Sequence, residues 1–162
     1  MSDFIFNTSR GRAHEQYRIV NDNVLTNSAL ILVVLAASGL ETDDVLRDYD
    51  DLAAILAASN NEPGQAQYAR KTLTDTELAA ATIDDTNNLV RLTYPDQTWT
   101  SVVAGDSWAK LLTCIDYDTT TGTDANIVPI TAQDMLVNGA YIVPAGTNIQ
   151  WSVPNGFYLS SS

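Results

Sequence analysis

Apolar residues are distributed unevenly along this chain, in one dense run early and in short spaced segments later. Residues 28–37 (SALILVVLAA) are almost continuously apolar and are bounded by Asn27 and by Ser38-Gly39. A run this short and this rich in β-branched residues reads as a strand buried on both faces rather than a buried helix. It is about half the length that a membrane-spanning helix needs.

Upstream, Thr8 or Ser9 can cap a helix running to about Val20, with Ala13, Tyr17 and Val20 on one face. Arg10, Arg12, Glu15 and Arg18 fall on its other face, and Asn21-Asp22-Asn23 breaks it. Downstream of the apolar run, residues 41–47 read as a linker or a single helical turn. Asp48 then caps a second helix through Leu52, Ile55 and Leu56, with acids gathered at its start where the helix dipole favours them. Asn60-Asn61-Glu62-Pro63-Gly64 ends it.

From Gln67 onward the pattern changes to short strands. Residues 68–73 alternate loosely, and 77–83 are strand candidates despite their alanines. Asp84-Asp85-Thr86-Asn87-Asn88 is a hairpin turn leading into 89–94. Residues 97–103 resume after Pro95, with Trp99 inward. Residues 108–117 form a strong strand candidate, followed by a loop over 118–126. Shorter strands are expected at 127–130, 141–143 and 148–153, and the tail from Asn155 onward can pair as a last strand or dock on a neighbour.

With helices early, strands late and no alternating βαβ rhythm, the expected class is α+β. The C-terminal two-thirds should be mainly an antiparallel β-sandwich or sheet, with two short helices in the N-terminal third. A chain of 162 residues fits one domain, 1–162, within which residues 1–20 form a candidate docking arm.

Charge changes this picture. Twenty acidic residues against eight Lys and Arg give a net charge of −12. That balance disfavours nucleic acid and anionic membrane surfaces, and favours solubility or a basic partner. Three of the eight basic residues, Arg10, Arg12 and Arg18, sit in the N-terminal segment and make it the one locally positive patch. Residues 1–7 lack the basic start and long apolar stretch of a signal peptide, so folding in a reducing cytoplasm is expected. The lone Cys114 has no disulfide partner in the chain and sits inside an apolar strand, where a buried and inert thiol is expected.

The residues offer little for catalysis. His14, the only histidine, lies in an Arg-rich helix with no nucleophile turn such as G-x-S-x-G, and reads as a surface histidine. The pairs Asp43-Asp44, Asp50-Asp51 and Asp84-Asp85 have the chemistry of a glycosidase acid and base, but adjacent carboxylates in caps and turns serve local backbone hydrogen bonds. The stretch from Asp116 through Asp118 to Asp124 partly resembles a calcium loop. Its glycine, Gly122, falls one position late, and Ile127 stands where a bidentate Glu should close the site. No phosphate-binding glycine motif is present. Trp99, Trp108 and Trp151 read as core. No enzyme activity or cofactor is expected, and no metal beyond a weak surface cation site at 116–124.

Several stretches occur together: Phe6-Asn7 through Arg10-Gly11-Arg12-Ala13 with Glu15; Asn27-Ser28-Ala29-Leu30; Leu46-Arg47-Asp48-Tyr49-Asp50; and Asn61-Glu62-Pro63 with Tyr68-Ala69-Arg70-Lys71. Asp84-Asp85-Thr86-Asn87, Pro95-Asp96-Gln97-Thr98-Trp99, and Gly122-Thr123-Asp124 before Val128-Pro129 follow. The combination resembles a family of small virion structural proteins of tailed double-stranded DNA phages, over nearly the whole chain. Near the C-terminus this chain has Asn138-Gly139 where that family carries Asp-Gly. These are turn and cap residues, so what the resemblance implies is a fold and a place in a particle rather than a chemistry. It implies a capsid decoration, or cement, protein docking on the major capsid protein. The alternative is a tail, baseplate or fibre-associated structural protein of the same virion. Either would be folded in the host cytoplasm before assembly and act as a homo-oligomer, without nucleic acid or membrane. The candidate interface residues are Phe4, Phe6, Arg10, Arg12 and Arg18 at one end of the chain and Phe157 and Tyr158 at the other.

Overall fold

The computed structural model describes residues 3–161. Its centre is a five-stranded, wholly antiparallel sheet of order β1-β8-β7-β2-β3, made of Phe4–Ile5, Ile127–Asp134, Trp108–Asp116, Ala29–Ala36 and Lys71–Leu73 respectively. Every residue of β2 and β7 is buried, as expected for strands covered on both faces. Alternation divides β2 cleanly. Ala29, Ile31, Val33 and Leu35 face one layer, and Leu30, Leu32 and Val34 face the other.

The first layer is helical. Helices α2 (Asp43–Leu46) and α3 (Leu52–Ala57) place Leu46, Leu52 and Ile55 on the sheet beside Leu112, Cys114, Ala132 and Phe6. The opposite layer combines α1 (Ala13–Asn21) with three small sheets. These are β4 (Thr82–Asp84), β5 (Leu89–Leu92) and β12 (Tyr158–Ser161); β6 (Gln97–Val102) with β11 (Thr147–Trp151); and the hairpin β9 (Leu136–Val137) with β10 (Ala140–Tyr141). Tyr17, Leu92, Tyr94, Trp99, Val102, Ile149 and Phe157 from this layer close over the sheet. The class is therefore α+β, with a central sheet covered on both sides and the helices at the N-terminal end of the chain.

The pairing of β7 with β8 contains a bulge. Thr113 opposes Thr131, but Cys114 opposes Pro129, leaving Ile130 as the extra residue. The bulge lets Ile130 and Thr131 sit consecutively without reversing which side chains face the helices. It also falls beside Pro129, which has no N–H to give to a ladder.

Several local expectations change. The first helix begins at Ala13, not at Thr8 or Ser9, because Gly11 sits in the left-handed region (φ 74°) and separates a short 3₁₀ turn, Asn7–Ser9, from α1. Asp51, not Asp48, caps α3, its carboxylate accepting from the Ala54 N–H at 2.8 Å. Asp48 instead accepts from the Asn7 side-chain amide. Of the 77–83 region only Thr82 and Ile83 are strand, as the start of β4. Before it, Glu77 turns back to accept from the N–H and hydroxyl of Thr74, at 2.7 Å each. The tail is indeed a last strand, β12 pairing with β5.

Residues 1–20 are not a free arm over their described part. β1 pairs with β8, the Phe6 N–H donates to Ile130 O at 2.9 Å, and the Ser9 hydroxyl donates to Pro129 O at 2.7 Å. Ala13, Tyr17 and Val20 are core. Any docking capacity there belongs to side chains on the surface of the fold.

Candidate functional site

The first and last strands come together. β1 is an edge strand of the central sheet, β12 is an edge strand of the three-stranded sheet, and between them lies an open cavity of about 500 Å³. Phe4, Arg10, Phe157 and Tyr158 line it, together with Arg47, Gln133 and Gly156. Four of the seven residues expected at an interface are thus brought to one place from opposite ends of the sequence. Gly156 is required where it is. It has φ 84°, and a Cβ there would come within 2.8 Å of Leu92 O.

The remaining three separate. Arg12 is exposed just before α1. Arg18 is bound along its own helix, to Glu15 at 2.8 Å and Asp22 at 3.5 Å. Phe6 is completely buried in the helical layer, its ring centroid 5.2 Å from that of Phe4. Phe157 borders the cavity but is only 5% exposed, stacked on Tyr94 at 5.3 Å and tilted against Tyr17 at 6.0 Å. Both phenylalanines, expected at an interface, are core side chains. Each lies beside a strand, Phe6 after β1 and Phe157 before β12, and packs into one of the two core clusters.

Arg47 was not singled out from the sequence. Helix α2 carries it to the cavity, where its guanidinium lies 5.1 Å from the Phe4 ring centre and its Nε donates to Asp43 O at 3.1 Å. The cavity therefore holds two guanidiniums, Arg10 and Arg47, on a molecule of net charge −12. Its one carboxylate is Asp3, which accepts from the Asp134 N–H at 2.8 Å.

Behind Phe4 is a second feature that sequence reading passed over. Lys110 has no solvent exposure. Its Nζ lies 2.5 Å from Asp134 Oδ1 and 3.1 Å from Asp43 Oδ1, and 5.2 Å from the Phe4 ring centre. Asp134 is its direct partner across β7 and β8, while Asp43 arrives on the first turn of α2. The only sign in the sequence was a lysine inside an otherwise apolar strand (WAKLLTCI), which must be paired if that strand is buried.

A third network is structural. Arg70 bridges Glu62 and Asp124 at 2.5 Å each, and the Tyr68 hydroxyl donates to Glu62 at 2.7 Å while accepting from the Val34 N–H at 3.0 Å. The Arg70 hydrogen bond holds the Asp124 carboxyl below the usual carboxylate range. Burial, with the neighbouring Glu62 charge, pushes the Tyr68 hydroxyl up.

This network also settles the geometry of the Asp116–Asp124 stretch. Asp124 is turned toward Arg70, and Asp118 accepts from the Thr120 N–H and hydroxyl at 3.1 and 2.6 Å. Asp116 accepts from the Asp118 N–H at 3.0 Å. The carboxylates do not converge, and among the described residues no group of three His, Cys, Asp or Glu side chains is placed to hold a metal ion.

His14 is exposed, with the Tyr158 ring edge-on at 6.5 Å. Cys114 is buried, and burial pushes its thiol up, away from the reactive thiolate. Trp99 and Trp108 are core, edge to face at 5.2 Å, whereas Trp151 is half-buried. Leu136, Val137 and Val143 leave an apolar surface on and beside the β9–β10 hairpin, whose Asn138-Gly139 turn has positive φ at both residues. No helix among the described residues is long and apolar enough to cross a membrane.

Compared with known proteins, the chain matches no family model, no curated protein and no solved structure.

Proposed function

We propose that this chain is a non-enzymatic structural component of a tailed-phage virion, a decoration protein that docks on the major capsid shell through the cavity between β1 and β12. The observation that carries the docking surface is the convergence of β1 and β12 on one concavity holding Arg10 and Arg47. Two edge strands flank it, and the rest of the molecule is strongly acidic. Edge strands offer backbone N–H and C=O groups to an added extended segment, and two guanidiniums select an acidic one. The partner is accordingly an acidic, extended segment of a shell subunit. The virion assignment itself rests on the resemblance of the turn and cap residues described above.

Arg10→Glu tests the docking surface. Arg10 is exposed, and its guanidinium makes no ion pair among the described residues, so the fold should be unaffected. Purified shells lacking the decoration should bind the wild-type chain and bind Arg10→Glu at least tenfold more weakly, an effect of about 1.4 kcal/mol or more. Equal binding by the two proteins would remove the cavity from the interface.

A further inference from the structure

The Lys110 cluster is arranged for bond formation as well as for charge pairing. We propose that the Lys110 amine and the Asp134 side-chain carboxyl condense into an intramolecular amide that staples β7 to β8, with Asp43 as the proton carrier.

Three features of the structure meet the requirements of that reaction. The reacting groups are held together: Nζ is 2.5 Å from Oδ1, and Cγ lies one C–O bond beyond it. The backbone holds that distance, because Lys110 and Asp134 are direct cross-strand partners at one end of the β7–β8 ladder. Near-attack geometries have reacting atoms roughly 3–3.5 Å apart, and fixing them replaces a bimolecular encounter by an intramolecular step. A second carboxylate also touches the reacting nitrogen, Asp43 Oδ1 at 3.1 Å. Finally, the site is dry. Lys110 is completely buried, the side chains of Asp43 and Asp134 are 13% and 9% exposed, and the Phe4 ring closes the cluster. Excluding water opposes hydrolysis of the product and favours release of the water formed.

The step balances without an oxidant or co-reactant. One proton passes from the Lys110 ammonium to the Asp134 carboxylate, leaving a neutral amine beside a carboxylic acid. The nitrogen lone pair attacks Asp134 Cγ and forms the C–N bond. A second N–H proton goes to Asp43, which returns it to the departing hydroxyl as the C–O bond breaks. One water leaves, and Asp43 ends as the carboxylate it began as. Neutralising the buried ammonium together with one of its carboxylates also removes the cost of holding that pair of charges out of water.

Intact-mass measurement of the full chain, folded and then denatured, reads the result directly. The expected mass is one water below that of the sequence. Proteolysis should yield a branched peptide joining the segment containing Lys110 to the segment containing Asp134. Lys110→Arg, which keeps the charge but not the primary amine, should restore the full mass. Asp43→Asn should slow appearance of the lighter species by roughly 10²–10⁴-fold, the range for loss of a positioned proton carrier. A wild-type chain that stays at its full mass after prolonged incubation overturns the proposal. So does a water loss that persists in Lys110→Arg, since that places the dehydration elsewhere. The branched peptide is read in the wild type, so the conclusion stands even if a variant folds poorly. Unchanged kinetics in Asp43→Asn would remove Asp43 from the step.

Discussion

The two faces of the central sheet are covered by different materials. On the helical face the contacts are aliphatic, with Leu46, Leu52 and Ile55 meeting Ile31, Val33, Leu35 and Leu112, and the layer ends in the buried Lys110–Asp43–Asp134 cluster. On the opposite face the contacts are aromatic. Tyr17, Tyr94, Trp99, Trp108 and Phe157 interlock, and the polar ends of Tyr17 and Trp99 are satisfied by backbone carbonyls. The Tyr17 hydroxyl reaches Ala79 O at 2.6 Å and Thr93 O at 2.7 Å, and Trp99 Nε1 donates to Ala69 O at 2.8 Å. Two short helices suffice to cover one face. Helix α1, short strands and loops cover the other, and large rings with one hydrogen-bonding end tie its irregular chain together.

That contrast sets where damage should be greatest. Trp108→Ala on the aromatic face removes a fully buried ring that contacts Trp99 and Tyr68, at 5.2 and 5.6 Å between centroids. Denaturant unfolding should show a loss of about 3–5 kcal/mol. Lys110→Met on the helical face should cost a similar amount, about 3–5 kcal/mol, for a different reason: Asp43 and Asp134 are left as buried carboxylates with neither the charge of Lys110 nor an amide bond to it. The two are separable by a compensating substitution: Asp134→Asn should recover part of the lysine variant's loss, by removing one stranded carboxylate, and none of the tryptophan variant's. A Lys110→Met protein as stable as the wild type would mean that the cluster adds nothing to the fold.

The Arg70 bridge should appear in the pH dependence. Asp124 is depressed in the folded chain, chiefly by its hydrogen bond to Arg70. A group depressed on folding contributes stability above its unfolded value and loses it as pH falls through the folded one. Stability should therefore drop below the ordinary carboxylate range, around pH 4 and lower, and the drop should shrink in Asp124→Asn. An identical acid limb in the two proteins would contradict this. Smaller still, Asp51→Ala removes the α3 cap and should cost about 1 kcal/mol, with faster amide exchange confined to the helical face.

The strands that dominate the sheet are legible in the sequence, and the reason is periodicity. β2 and β7 are long, apolar and bounded by turn residues, and the 84–88 hairpin carries its own turn chemistry. Helix ends were less legible. Asp48, Asp50 and Asp51 offer the same capping oxygen, and only the packed geometry selects Asp51. The cavity was half legible. Arg10, Phe4 and Tyr158 are visible as surface candidates, but their meeting with Arg47 depends on β1 and β12 becoming neighbouring edges. Phe6 and Phe157 show the limit, since composition near a terminus does not reveal whether the terminus is tucked in. The Lys110 cluster joins residues far apart in the chain, and no local pattern links them.

Arg10→Glu should change stability least, within about 0.5 kcal/mol, as an exposed site away from both cores. Its effect belongs to docking alone. The central claim, that this chain decorates a shell, is tested most directly by its copy number relative to the major capsid protein in purified particles, by quantitative mass spectrometry. A shell decoration should be present at one copy per capsid subunit or a simple fraction of that. A few copies per particle would move the protein to the tail, and its absence from the particle would contradict the virion reading outright.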